Sequence, residues 1–273
     1  MGRVAAGWQL AKLSLRVVRS DASLSVLVVL GGIASGAVAL AFLAPAAVAY
    51  SIEETWLAVV IGAVGVYLAT VAATYFAVAL AAAAAEVLDG RDATVRGGMA
   101  VAGRCVGPIL GWALVLTTVN LVLQALRERA GLLGSLLLGA AAVAWGLATL
   151  LVVPILALEG LGPRAALGRS TALFRQKWGE QLAGTASIGI LFTLLGVVPA
   201  VALGLLGVAS GSTALAVALL VVAVLIAVAA GVLGSAARAV FAVALYRYAA
   251  GEGAIGPFTA RDLESAVVRT GLG

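Results

Sequence analysis

Thr117, Asn120 and Gln124 interrupt an otherwise apolar stretch at a spacing that gathers them on one side of a helix. Amide side chains both donate and accept hydrogen bonds. Such a strip can line a pocket or pore for an uncharged solute, or it can bond to a neighbouring helix, which contributes about 0.6 kcal/mol on average. The second group with chemical capacity is a set of acids. Glu86, Glu159 and Glu252 each follow an apolar run, and Glu159 is placed to pair with Arg164, Arg169 or an arginine of another segment. General acid–base catalysis would need two such carboxylates converging on a pocket, and the sequence brings no such pair together. As neutralising partners of a basic surface the acids need nothing further.

The sequence contains no histidine and a single cysteine, Cys105. That removes imidazole acid–base chemistry, His-ligated haem and the usual zinc and copper sites. One thiol forms neither an internal disulfide nor a cysteine cluster. No cofactor and no metal are therefore expected. Cys105 itself suits either a small buried packing role or palmitoylation beside the membrane surface.

The elements that must hold these side chains are unusually apolar. Hydrophobic residues make up 63% of the chain and charged ones 11%. Residues 22–52, 55–85, 105–126, 130–158 and 181–237 carry no charge at all. A helix crosses the ~30 Å hydrocarbon core with ~20 apolar residues, and the last run is long enough for two spans. Ser210-Gly211-Ser212-Thr213 offers the polar turn between them. Six transmembrane helices follow, as one integral membrane domain over residues 1–273 with no separate soluble part.

Charge sets the orientation. Segments 1–23, 86–107, 159–180 and 238–273 hold fifteen of the Lys and Arg residues, while Arg127 and Arg129 stand alone on the other side. Positive residues concentrate on the cytoplasmic side, which puts both termini there. The net charge of +5 thus reflects topology and anionic lipid rather than nucleic acid. Near the amino terminus, basic residues, an apolar run and Ala47-Val48-Ala49 imitate a secretory signal. The run far exceeds the ~7–15 residues of a signal core, so it reads as an uncleaved first span.

Three basic segments share one apolar spacing: Ala11, Leu15, Val18 and Ala22; Val95, Met99, Ala102 and Val106; Leu167, Thr171, Phe174 and Trp178. Each forms a single stripe on a helix and each precedes a pair of spans. The plan is an all-α bundle of three pseudo-repeated hairpins, each led by a cytoplasmic amphipathic helix. The repeat-like units are about 1–85, 86–158 and 159–250, with a tail over 251–273. Superposing the stripes aligns Ser14 with Ser170, and FAVAL recurs at Phe76–Leu80 and Phe241–Leu245. Lys12, Arg16, Arg19, Arg169, Arg175 and Lys177 flank the stripes as candidate contacts for lipid headgroups. The alternative is that these segments extend the following spans and pack on one another.

Gly32 with Gly36, and Gly103 with Gly107 and Gly111, form small-residue stripes that let helices approach closely, within one chain or between copies. Pro154 and Pro199 should kink their spans. Several short motifs carry a family likeness: Pro154 to Glu159-Gly160, Ala166-Leu167 with Ser170, Trp178-Gly179, Tyr75-Phe76 with Ala79-Leu80, and Ala244-Leu245-Tyr246-Arg247-Tyr248-Ala249. The chain resembles a large group of bacterial multi-pass proteins that are similar to the membrane domain attached to some glycerophosphoryl diester phosphodiesterases. The resemblance implies six spans with cytoplasmic termini in the bacterial inner membrane. It brings no catalytic residues and no phosphodiesterase activity.

Together these readings describe a non-enzymatic membrane scaffold, accessory subunit or lipid-interacting element. Anionic lipid, a second copy or another membrane protein is its expected partner. The alternative is a channel or facilitator for a small neutral or apolar solute, lined by Thr117, Asn120 and Gln124.

Overall fold

The structure, a computed structural model, describes residues 13–178, 199, 201–203, 205–206, 212–252 and 255–258. Residues 13–20 form α1. The chain continues through α2 (Ala22–Ser51), α3 (Thr55–Leu88), α4 (Val95–Arg104), α5 (Val106–Arg129), α6 (Leu132–Thr149), α7 (Val152–Leu158), α8 (Pro163–Trp178) and α9 (Thr213–Ala250). Among the described residues there is no β-strand, only an isolated bridge between Ile255 and Phe258.

Five helical segments are long and apolar enough to cross a membrane: Ala22–Ser51, Thr55–Leu88, Val106–Arg129, Gly134–Leu158 and Thr213–Ala250. They coincide closely with the charge-free runs, because it is the absence of charge that lets a helix bury its whole circumference in lipid. The expected fifth of six spans, within 181–209, lies outside the described residues. Of it only Pro199, residues 201–203 and residues 205–206 are described, all helical, so the predicted kink at Pro199 is outside them too.

Local signals place the boundaries. Asp21 caps α2, its carboxylate accepting from Ser23 N at 2.7 Å, and Thr94 caps α4 through Gly97 N at 3.0 Å. Each satisfies an amide that the first helical turn leaves free. Pro163 opens α8, where a missing N–H costs nothing. At the other end of α9, Gly251 takes the left-handed conformation with φ 98° that closes a helix.

Pro154 has the effect expected of it. It lacks the N–H that would donate to Leu150 O four residues back, and the fourth span breaks at Leu150 and Leu151 between α6 and α7. The last carbonyls of α6 are thereby freed. One of them, Ala148 O, accepts from the buried Ser170 hydroxyl on α8 at 2.7 Å.

Burial is concentrated at one end of the bundle, the end that carries α1, α4 and α8 and the basic segments. Every residue from Val78 to Ala85 on α3 is buried, together with Leu151, Val152 and Pro154 to Ala157 around α7 and Ala242 to Tyr246 on α9. The six alanines of the α3 stretch make this convergence feasible, since short side chains let helices close in from all sides. Trp112 of α5, 1% exposed, stacks on Trp145 of α6 with centroids 6.2 Å apart; such a pair contributes about 0.5–1.5 kcal/mol beyond its buried area. Toward the far end the helices present exposed apolar side chains, among them Leu40, Val59, Leu137 and Leu225. In a span such residues face lipid or another helix.

Contacts between helices follow a pattern. α3 and α9 touch, α3 and α7 touch, and α9 and α7 touch, forming an inner group. α2 packs on α3, its partner in the first hairpin, and on α9; α5 packs on α6, its partner in the second hairpin, and on α3.

Candidate functional site at the basic end

Two ion-pair clusters hold the end of α9 to the rest of the bundle. At the first, Glu159 follows α7 immediately. Gly160, at φ 64°, then turns the chain through a conformation that costs glycine little and leads it into α8. Glu159 Oε1 accepts from the Tyr246 hydroxyl at 2.6 Å and from Arg169 Nε at 3.3 Å. Of the three arginine partners open to Glu159 in the sequence, the fold selects Arg169, one face of α8 away. Tyr246 is buried on α9, so its hydroxyl reaches the carboxylate from within the bundle.

At the second, Asp89 ends α3. Arg247 donates both Nη atoms to it, Nη1 to Oδ1 and Nη2 to Oδ2, the latter at 3.1 Å. Arg91 Nη2 adds a bond to Oδ2 at 2.9 Å, and Glu252 Oε2 lies 3.7 Å from Arg247 Nε. The Arg247 side chain is only 12% exposed, which makes the forked geometry consequential: a nearly buried guanidinium requires a matching anion. The Arg247 bond holds the Asp89 carboxyl well below its usual range, at about 2, against the opposing pull of desolvation.

Consecutive residues on α9 thus engage different neighbours, Tyr246 the α7–α8 turn and Arg247 the end of α3. A third carboxylate, Asp21, performs a similar task for α2. Besides capping its own helix it accepts from Ala93 N at 2.9 Å, and Ser23 returns a bond to Ala93 O at 3.0 Å. These acids are bound to chain partners rather than turned together on a pocket. Among the described residues no three His, Cys, Asp or Glu side chains are grouped to hold a metal ion.

The candidate headgroup contacts divide. Arg16 and Arg19 on α1 and Arg175 on α8 are exposed and enter no ion pair or hydrogen bond among the described residues. Arg169 is exposed and bound to Glu159. Lys12 and the side chain of Lys177 lie outside the described residues. The stripes between these cations turn inward at their third position: Val18, Ala102 and Phe174 are 2%, 0% and 4% exposed. The residues aligned one turn earlier are buried as well. Ser14 has an unpartnered hydroxyl, Gly98 lies so close to α3 that a Cβ would stand 2.5 Å from Ala79 O, and Ser170 bonds Ala148 O.

Thr117, Asn120 and Gln124 share α5 without a common partner. Thr117 is buried and its hydroxyl has no hydrogen bond among the described residues, whereas Asn120 and Gln124 are exposed further toward the far end. The glycine stripes are used unevenly. A Cβ at Gly32, Gly36 or Gly107 would meet nothing within 4 Å; at Gly103 it would stand 3.9 Å from Tyr75 Oη, and at Gly111 2.7 Å from Pro163 Cγ. Close approach also occurs at Gly31, against Phe76, and at Gly65, against Phe42. Cys105 is buried, its thiol 3.3 Å from Leu156 O.

Sequence reasoning missed Asp89, Tyr246, Arg247 and Asp21 as working residues. For two of them a signal existed: Tyr246 and Arg247 directly follow the apolar Phe241–Leu245, and polar groups carried on an otherwise apolar helix need partners.

A chain whose described residues are helical apart from short turns, with apolar helices of membrane length and ion-pair clusters at helix ends, is a multi-pass helical membrane protein. More particularly, it belongs to a family of unknown function, DUF6159, whose profile matches residues 59–256. The matched stretch contains both ion-pair clusters of α9. Comparison with curated proteins and with solved structures gives no match, so nothing there ties the chain to the membrane domain of the phosphodiesterases.

Proposed function

We propose that the protein is a non-enzymatic, six-span component of the bacterial inner membrane that holds anionic lipid or a protein partner at its basic, cytoplasmic end. The observation that carries this reading is a surplus of cations there. Asp89 and Glu159 are taken up by Arg247, Arg91 and Arg169, whereas Arg16, Arg19 and Arg175 remain exposed without a partner among the described residues. An arginine beside an anionic membrane surface contributes on the order of 1 kcal/mol of attraction, so several together retain lipid. The matched burial along the three stripes supports a threefold repeat of amphipathic helix and hairpin. Both termini fall on the cytoplasmic side by the fifteen-to-two division of Lys and Arg.

The test is purification in native lipid nanodiscs with mass spectrometry of whatever accompanies the protein. Retained anionic lipid or a stoichiometric partner is expected. Retention unchanged after joint neutralisation of Lys12, Arg16, Arg19, Arg175 and Lys177 would remove the headgroup part.

A facilitator for a small neutral solute is favoured by one observation, the unpartnered buried hydroxyl of Thr117. Against it, Ala83, Ala84, Ile155 and Val240 fill the basic end with no exposure at all, so a pathway there would have to open. Solute flux into liposomes decides this reading.

A further inference from the structure

We infer that Arg238 and Ser235 on α9 bind the phosphate of an anionic phospholipid in the leaflet at the basic end. The inference rests on the lipid-holding reading above and gives it a site separate from the amphipathic segments.

Arg238 is the exception on its helix. From Thr213 to Ala237 α9 carries no charge, and the run then meets an arginine that stays exposed. Its neighbours Ala236, Ala237, Val240 and Phe241 are buried, so this turn packs its apolar side chains inward and sends a cation out. Nine residues on, Arg247 is engaged by Asp89 and Glu252. Arg238 meets no acid among the described residues. Its hydrogen bond there runs from Nη2 to Ser235 Oγ at 3.3 Å. A cation beside hydrocarbon needs an anion, and the surrounding lipid supplies one in its phosphate.

Depth along the helix selects that group. Thr55 precedes Asp89 by 34 residues, as Thr213 precedes Arg247, and Asp89 binds Arg247. The helices α3 and α9 therefore begin level with each other. Glu53 and Glu54 stand just before Thr55, and Trp56 is 68% exposed with its Nε1 donating to Glu54 Oε2. An exposed indole beside acids marks the water–lipid boundary at the far end. Counted from there at ~1.5 Å per residue, Arg247 lies about 51 Å along α9, beyond the ~40–45 Å of a whole bilayer. Ser235 lies about 33 Å along, past the ~30 Å hydrocarbon core and within the headgroup layer. The bond to Ser235 draws the Arg238 guanidinium back to that level. The serine hydroxyl accepts from Arg238 and keeps its own proton to donate to a phosphate oxygen. Arginine suits the ligand, because its forked donors match the geometry of phosphate. One turn toward the membrane, a Cβ at Gly231 would meet nothing within 4 Å, which leaves room beside the helix for the glycerol.

The test uses the full chain in nanodiscs of phosphatidylglycerol and phosphatidylcholine, with native mass spectrometry reading which lipids are retained and how firmly. Arg238→Gln is expected to weaken the hold on one phosphatidylglycerol about tenfold, as the loss of a hydrogen bond between charged groups does. Ser235→Ala should weaken the same lipid by less, and it carries the test should Arg238→Gln misfold. Arg96→Gln makes an equal change of charge at the exposed start of α4 and should leave that lipid in place. Equal losses from Arg238→Gln and Arg96→Gln would reduce the site to diffuse surface charge and overturn it. Inorganic phosphate in the buffer should not displace the lipid; displacement would make free phosphate the ligand and overturn the lipid assignment. Unchanged retention in Arg238→Gln, beside a loss in the joint variant of α1 and α8, overturns this site and leaves the wider reading standing. A wild type that retains no anionic lipid removes both.

Discussion

Asp89 and Arg247 are separated by 158 positions in the chain and meet as a two-pronged ion pair. The contact joins the last residue of the first hairpin to the last turn of α9, so it closes the bundle where the helices are most tightly packed. A guanidinium that is 12% exposed depends on this anion, since its other partner, Glu252, stands further off at 3.7 Å from Nε. Replacing Asp89 with Ala is expected to destabilise the protein by about 1–2 kcal/mol, the range for a partly exposed bond between charged groups. Arg247→Lys keeps the charge and loses the fork, so it should fall between wild type and Asp89→Ala. Thermal unfolding in nanodiscs ranks the three.

The same carboxylate makes stability depend on pH. Its folded value of about 2 lies below the usual 3.8, chiefly through the bond from Arg247. A depressed acid contributes fully above its unfolded value and loses that contribution as pH falls toward the folded one. From pH 7 to 5 the pair should therefore give no change, and between about pH 4 and 2 wild type should lose stability more steeply than Asp89→Asn. Equal slopes for the two proteins would remove Asp89 from the acid response.

Tyr246 is predicted to matter for its hydroxyl rather than its ring. Tyr246→Phe keeps the buried aromatic volume and removes the bond to Glu159, a loss of about 0.5–1.5 kcal/mol. Glu159 retains Arg169, so the acid is not abandoned. A double-mutant cycle of Tyr246→Phe with Glu159→Gln should give a coupling energy of the same sign and order. Additive losses would mean that the two groups do not act together.

How much of this was legible in the sequence differs by level. Five of the spans were, because charge exclusion from hydrocarbon acts on each segment independently of its neighbours. The break near Pro154 was legible too, since a missing amide acts four residues back whatever surrounds it. The clusters at the end of α9 were not. Asp89 and Glu252 are ordinary interfacial acids until the register between α3 and α9 is known, and that register depends on how the alanines from Ala81 to Ala85 pack. Glu159 shows the middle case: an arginine partner was expected, and only the turn at Gly160 selects Arg169 from the alternatives. The polar strip of Thr117, Asn120 and Gln124 was visible as a strip, but a helical spacing names a face without saying what it meets.

Glycines test packing most directly, because adding one methyl group has opposite expectations at different sites. At Gly98 the new Cβ would meet the Ala79 carbonyl oxygen, a backbone atom that cannot step aside. Gly98→Ala is expected to cost about 1–3 kcal/mol, as overpacking does, and to separate α4 from α3. At Gly32 the methyl would meet nothing within 4 Å, so Gly32→Ala should gain up to about 1 kcal/mol from helix propensity alone. Both substitutions add the same atom to a helical glycine, so propensity cancels between them and the difference reports crowding. A Gly32→Leu variant extends the comparison to association. If Gly32 and Gly36 seat a second copy, a leucine there blocks the approach of the two backbones, and light scattering in detergent should show the larger species disappear while the Gly98 variant keeps its oligomeric state. If Gly32 faces lipid alone, leucine is as soluble there as glycine and neither mass nor stability should fall.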